Sequence, residues 1–157
     1  MENIKVGIVG LGRLGKVHAK NLANLVPNCE LYAACSLVEE ERKFAKEKLN
    51  VTLTYDSYED MVKDPNIDAV FIVSPSGFHC QQIKLAMENG KHVFSEKPLG
   101  LDVEEIKETQ KIIQEHPDQI FGYTLSGMDR DSMPDFFIQK RGHLLSPRYT
   151  INSPQKS

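Results

Sequence analysis

The sequence predicts an α/β fold, a doubly wound parallel sheet with helices on both faces. Three observations carry this. Apolar, β-rich runs alternate with helix-period segments through the first 123 residues, the order that builds a parallel sheet through right-handed crossovers. One run, DAVFIVS at 68–74, is nearly all apolar, as a strand covered on both faces must be. The first run ends in a glycine-rich turn that opens a helix.

The elements follow in order. IKVGIVG (4–10) is a strand ending in glycine, and residues 13–26 form a helix with Leu14, Val17, Leu22, Leu25 and Val26 on one face. ELYAACS (30–36) is the second strand, EEERKFAKEKL (39–49) a helix with a charged face, and VTLTY (51–55) a short third strand. Ser57 with Asp60 forms a capping box, opening a short helix that stops before Pro65. After the fourth strand (68–74), a helix from Phe78 to Glu88 ends at Asn89-Gly90, a usual stop signal. KHVF (91–94) is the fifth strand, Asp102 and Glu105 cap a helix running to Glu115, and QIFGY (119–123) is the sixth strand.

Residues 1–123 thus read as one doubly wound domain, and 124–157 as a tail. In the tail, PDFFIQKRG (134–142) reads as a helix and HLLSPRYTI (143–151) as a strand, before NSPQKS. There is no internal repeat and no low-complexity segment.

Bulk numbers narrow the function classes. The 157 residues are 40% hydrophobic and 26% charged, ordinary for a globular domain with its own core. Nineteen basic against 22 acidic residues give a net charge of -3, without the basic footprint of a nucleic-acid binder. No apolar run approaches the roughly 20 residues of a membrane span. The chain opens directly on a strand, so no signal peptide is expected. Cys29, Cys35 and Cys80 are odd in number and form no C-x-x-C pair, against both a disulfide framework and a zinc site. Reduced, mostly buried thiols in a cytoplasmic protein are the expectation.

The chemistry begins at GIVGLGRLG, where Gly10, Gly12 and Gly15 stand in G-x-G-x-x-G spacing between the first strand and the first helix. Gly10 permits the tight turn, Gly12 admits a pyrophosphate to the backbone, and Gly15 lets helix and sheet pack closely. The helix start, from Arg13 and Leu14, offers unpaired N–H groups and a partial positive charge, and Leu11 completes the loop. A turn without ligand, or an S-adenosylmethionine site on a similar fold, shares this spacing.

The dinucleotide pattern asks for an acid about 20 residues onward, to bind the ribose hydroxyls of NAD. Ser36 stands there. Serine tolerates the 2′-phosphate of NADP, and Arg13, Arg42 or Lys43 can supply a cation, but Leu37 and Val38 are not basic. NAD and NADP both stay open, with a slight lean to NAD.

Three segments in order, GLGRLG after strand one, SPSGFH (74–79) after strand four and SEKPLG (95–100) after strand five, then add up. They resemble the glucose-fructose oxidoreductase and inositol dehydrogenase (Gfo/Idh/MocA) family of NAD(P)-dependent sugar and polyol dehydrogenases. The resemblance covers roughly residues 3–123, and the E-K-P tripeptide is its most specific part. It implies a Rossmann-like cofactor domain with Ser74, Pro75 and His79 against the cofactor and Glu96 in the same site. It implies that Lys97 sits beside the nicotinamide, helping to bind and polarise the substrate hydroxyl, and that the Lys97–Pro98 bond is cis.

The residues agree with this. In open α/β sheets ligands bind outside the carboxyl ends of the strands, and all three segments lie at such ends. A lysine there, partly desolvated beside a carboxylate, can tune its proton affinity. A solvated loop pair of Lys97 with Glu96 is the plainer alternative, as is a His79 satisfied by local backbone. His18 reads as structural, and His92, His116 and His143 form no metal or catalytic constellation.

The resemblance also implies a second domain, whose aspartate and histidine bind substrate and take the hydroxyl proton. Only a remnant of that domain is expected here. Gly122 and Tyr123 fit the family pattern, while Ser126, Gly127 and Met128 stand where basic or aromatic residues belong. Two functional classes result. One is a sugar or polyol dehydrogenase represented by its cofactor domain and inactive alone; the other is a non-catalytic dinucleotide-binding module. Partners are a small polyol or sugar in the full-length parent, with self-association left open.

Overall fold

The structure, a computed structural model, describes residues 3–124, 136–140 and 143–145. Its strands are β1 (Ile4–Val9), β2 (Cys29–Cys35), β3 (Leu53–Tyr55), β4 (Ala69–Ile72), β5 (His92–Ser95), β6 (Phe121–Thr124), β7 (Phe136–Lys140) and β8 (His143–Leu145). The helices are α1 (Arg13–Asn24), α2 (Glu39–Leu49), α3 (Tyr58–Lys63), α4 (His79–Glu88) and α5 (Val103–Glu115), with a single 3-10 turn (Ser76–Phe78) before α4.

The sheet order is β3-β2-β1-β4-β5-β6-β7-β8. The pairings from β3 to β6 are all parallel, and those of β6 with β7 and β7 with β8 antiparallel. Because the chain leaves β1 toward β2 on one side and returns to β4 on the other, the order reverses between β1 and β4. At such a switch point the loops diverge and leave a crevice above the strand ends.

Period-two alternation in the strands sorts the core into two layers. Val6 and Ile8 of β1 pack with Ala19, Leu22 and Ala45 on the α1 and α2 side. Val9 packs with Met61, Ile72, Ile83 and Ile113 on the other side, under α3, α4 and α5. A register shift pairs Val6 with Leu31 but Gly7 with Ala33, so Tyr32 is an extra residue and joins the same layer as Ala33.

Two helix starts follow the sequence reading. The N–H of Asp60 donates to Ser57 Oγ at 3.2 Å, and that of Glu105 to Asp102 Oδ1 at 2.9 Å, which satisfies one orphan donor at each N-terminus. The α2 helix stops at Asn50, whose φ of 54° is left-handed, and this delays β3 to Leu53 although residue 51 was expected to open it.

One element is corrected. Residues 136–140, expected within a helix, form β7, antiparallel to β6. FFIQK is a short aromatic and β-branched run, better suited to a strand, and the edge of β6 offers the backbone partners that a strand needs. The expected strand at 143–151 is seen as β8 over its first three residues; its remainder, and Ser126, Gly127 and Met128, lie outside the described residues. β6 runs one residue past the expected boundary at 123, and β7 and β8 extend the same sheet.

Candidate functional site

Backbone ladders carry on past the strand ends and gather the loops. Gly10 N–H donates to Cys35 O at 3.1 Å, Val73 N–H to Val9 O at 2.8 Å, and Glu96 N–H to Ile72 O at 2.9 Å. The glycine loop, the Ser36 turn, the Ser74–Pro75 segment and the E-K-P turn are thus brought to one edge of the sheet.

A cavity of about 610 Å³ opens there, within the range of small-molecule and cofactor pockets. Its walls include Gly10, Leu11, Gly12, Arg13, Leu14 and Gly15 from the loop, Ser36 after β2, and Ser74 and Pro75 after β4. Nine of the residues expected at a cofactor site therefore meet on one cavity.

The glycines have distinct physical reasons. Gly10 has φ +91°, and a Cβ there would lie 2.5 Å from the carbonyl carbon of Val73. A Cβ on Gly15 would overlap the carbonyl oxygen of Gly10. Gly12 faces open space, with nothing within 4 Å of where a Cβ would sit, so its lack of a side chain serves no contact within the fold. It leaves the cradle over the helix start clear. The α1 helix has no acidic residue in its first turn and no side-chain cap on its N-terminus. Its orphan N–H groups and dipole therefore remain available to an anion. These features fit a pyrophosphate.

Ser36 is buried, at 8% exposure, and is not alone. Its hydroxyl donates to Glu41 Oε2 at 2.5 Å and accepts from Val38 N–H at 3.0 Å. The Arg42 guanidinium donates to the Ser36 carbonyl at 2.6 Å. Glu41 and Asp56 both reach the cavity wall. Sequence reasoning passed over both, because it sought the acid at the end of β2 and not on α2 or after β3. Burial, with the Asp56 charge adding to it, pushes the Cys35 thiol on the same wall up to about 11.

On the β4 side the Ser74 hydroxyl donates to Gln82 Oε1, and the Tyr58 hydroxyl donates to the Gln82 carbonyl at 2.6 Å. Burial drives the Tyr58 phenol well above its ordinary range, keeping it a donor.

His79 lies behind this wall. It is 1% exposed, with Nδ1 2.7 Å from Pro98 O and Nε2 2.7 Å from Ser74 O. It thus ties the segment after β4 to the E-K-P turn, in line with a histidine satisfied by backbone carbonyls.

Glu96 is 8% exposed, and both its carboxylate oxygens have partners. Oε1 is 2.7 Å from His18 Nε2, and Oε2 accepts the backbone N–H of Lys97 at 3.2 Å. Lys97 itself is exposed, where the strand-end position suggested partial burial. The Lys97–Pro98 bond is cis. Neither Glu96 nor Lys97 is part of the cavity wall; they stand at the adjoining strand end. Among the described residues no cluster of His, Cys, Asp or Glu is placed to hold a metal ion, and no helix is long and apolar enough to cross a membrane. The three cysteines are unpaired.

Residues 4–123 match the Gfo/Idh/MocA oxidoreductase family, described by its NAD-binding Rossmann fold. The chain belongs to this family. An uncharacterised oxidoreductase of Bacillus subtilis is 34% identical over 136 residues, covering 86% of this chain and 38% of that protein. The myo-inositol 2-dehydrogenase of Thermotoga maritima is 37% identical over 112 residues, covering 69% of this chain and 33% of that enzyme. Among solved structures, the scyllo-inositol dehydrogenase of Lactobacillus casei with bound NAD(H) and scyllo-inositol superposes with a TM-score of 0.77 at 53% identity. The match covers 78% of this chain and 36% of that one. The chain therefore spans about a third of the length of these relatives. The motifs that resembled the family in sequence are the ones the fold gathers along one edge of the sheet.

Proposed function

We propose that the chain is the cofactor-binding part of an NAD(P)-dependent dehydrogenase acting on inositol or a related polyol or sugar. The observation that carries this is the meeting of an open phosphate cradle at Gly12 with the E-K-P turn on one sheet edge. In this reading the backbone from Gly10 to Gly15 holds the pyrophosphate. The exposed apolar side chains of Leu37 and Val38 lie against the adenine, and Ser74 and Pro75 face the nicotinamide end. A nicotinamide held there would supply the acceptor for a hydride from a carbinol carbon. Lys97 donates a hydrogen bond to the oxygen that changes from hydroxyl to carbonyl.

The hydroxyl proton needs an acceptor within hydrogen-bond reach. His18 is engaged by Glu96 and His79 faces two backbone carbonyls. His92 accepts the N–H of Ile120 at 2.9 Å, and His116 bonds the Ile112 carbonyl at 2.8 Å. We therefore hold that these 157 residues bind the dinucleotide but do not oxidise a polyol by themselves. In this reading the proton acceptor belongs to the second domain that the family resemblance implies. A non-catalytic dinucleotide-binding module is the second reading, favoured by the same engagement of these four histidines.

Titration of the chain with NADH and with NADPH, followed by nicotinamide fluorescence, tests the binding. Saturable binding that Gly12→Val abolishes is expected. Binding of neither cofactor, or equal binding by the variant, overturns the cofactor reading. Inositol-dependent formation of NADH by this chain would overturn the claim that it lacks turnover.

A further inference from the structure

Deepening the dinucleotide reading, and resting on it, we propose that Glu41 is the residue that selects NAD over NADP. It would do from α2 what the sequence pattern assigns to an acid at the end of β2. That position holds Ser36, which by itself neither attracts a ribose diol as a carboxylate does nor repels a 2′-phosphate.

The geometry supplies the missing charge. Glu41 reaches back one helical turn to the Ser36 hydroxyl at 2.5 Å and forms part of the cavity wall. The hydroxyl is oriented from its other side, because Ser36 Oγ accepts the Val38 N–H, so its proton is directed to the carboxylate. Ser36 is buried and Glu41 half-buried, which holds the carboxylate in place with less screening than a free surface acid has. Its second oxygen, Oε1, is left to accept a ribose hydroxyl, a charge-assisted bond of the stronger class.

The neighbouring charges point the same way. A 2′-phosphate needs a cation; Arg42 is tied by Nη1 to the Ser36 carbonyl at 2.6 Å, and the Glu41 carboxylate next to it in the chain offsets its charge. Lys43 is exposed and lies 3.9 Å from Glu47. On the cavity wall itself, Glu41 and Asp56 face a single cation, Arg13. A doubly charged phosphate entering beside Ser36 would therefore meet the Glu41 carboxylate, with Asp56 on the same wall.

The test uses the 157-residue chain, titrated with NADH and NADPH in parallel at low ionic strength. The unaltered chain is expected to bind NADH at least tenfold more tightly than NADPH. Glu41→Gln keeps the shape and an acceptor for Ser36 but removes the charge, and is expected to narrow that ratio by about tenfold or more. Ser36→Ala, which frees Glu41 without removing it, is expected to narrow the ratio less. Circular dichroism melting of each variant checks that α2 is retained. If the unaltered chain binds NADPH as tightly as NADH, or if Glu41→Gln leaves the ratio unchanged, the assignment of Glu41 is overturned while the dinucleotide reading stands. If the unaltered chain binds neither cofactor, the dinucleotide reading fails and the assignment with it.

Discussion

His18 Nε2 lies 2.7 Å from Glu96 Oε1, tying the helix that leaves the phosphate loop to the residue before Lys97. The imidazole is seated against two rings, with centroids 6.4 Å from Phe71 and 5.9 Å from Phe94. The two rings stack on each other at 4.5 Å. A single side chain thus relates the cofactor loop to the E-K-P turn, through an aromatic cluster on neighbouring strands β4 and β5.

Loss of this donor should be felt in stability. His18→Ala removes a hydrogen bond from a carboxylate that is 8% exposed, at a cost of about 1–3 kcal/mol. His18→Gln places an amide Nε near the same point and is expected to recover part of it. Urea denaturation of the three proteins gives the comparison. Equal stabilities of the alanine variant and the parent would show that the pair contributes nothing.

The three loop glycines should separate by what they do. Gly10→Ala sets a side chain against Val73 at positive φ, and Gly15→Ala drives one into the carbonyl of Gly10. Each is expected to cost about 3 kcal/mol or more. Gly12→Ala meets nothing within 4 Å and should cost about 1 kcal/mol or less, yet weaken dinucleotide binding. Melting temperatures beside NADH titrations would show it. A Gly12→Ala variant that binds as the parent does would remove the structural argument for a phosphate cradle.

Cys35 should be nearly inert although it borders the cavity. Burial first, then the Asp56 charge, pushes its thiol up to about 11 against the opposing effect of Arg42, so about one thiol in a thousand is ionised at pH 8. Alkylation by iodoacetamide at that pH, mapped by mass spectrometry, should spare Cys35 in the folded chain and label it after denaturation. The rate should climb as pH approaches 11. Rapid native labelling at pH 8 would contradict the geometry.

How much of this was legible in the sequence follows from how local each feature is. The strand of residues 4–9 and the loop from Gly10 to Gly15 announce themselves, because a short β-rich run and glycine spacing are properties of adjacent residues. The partners of Glu96 and His79 were hidden. His18 is 78 residues from Glu96, and His79 is 19 from Pro98, and only the order β1-β4-β5 brings them together. Glu41 was passed over for a subtler reason. It is only five residues from Ser36, but in a row of three glutamates at 39–41 nothing in the sequence says which one turns inward. The strand Phe136–Lys140 was misread because its apolar run suits either element, and the edge of β6 that decides it is a tertiary feature.

Asp64 should set an acid limit on stability. Burial alone would raise its carboxyl, but the Asn66 N–H at 2.9 Å, the Tyr55 hydroxyl at 2.7 Å, the Asn66 amide at 3.1 Å and the Lys91 charge together hold it below the usual range. The folded chain therefore keeps this carboxylate ionised at a pH where the unfolded chain has begun to protonate it. That contribution is fully present above about pH 4 and is lost as pH falls through the folded value. Asp64→Asn should lower the urea midpoint clearly at pH 6, and the gap from the parent should shrink toward pH 2.5. Tyr55 is the reciprocal case. Burial and the bond to Asp64 push its phenol up to about 12, so its contribution is present below pH 10 and declines as pH rises toward 12. Tyr55→Phe should therefore close its own gap from the parent on the alkaline side. A gap for Asp64→Asn that stays constant from pH 6 to pH 2.5 would mean that the carboxylate titrates alike in both states, and that its hydrogen bonds do not favour the charged form.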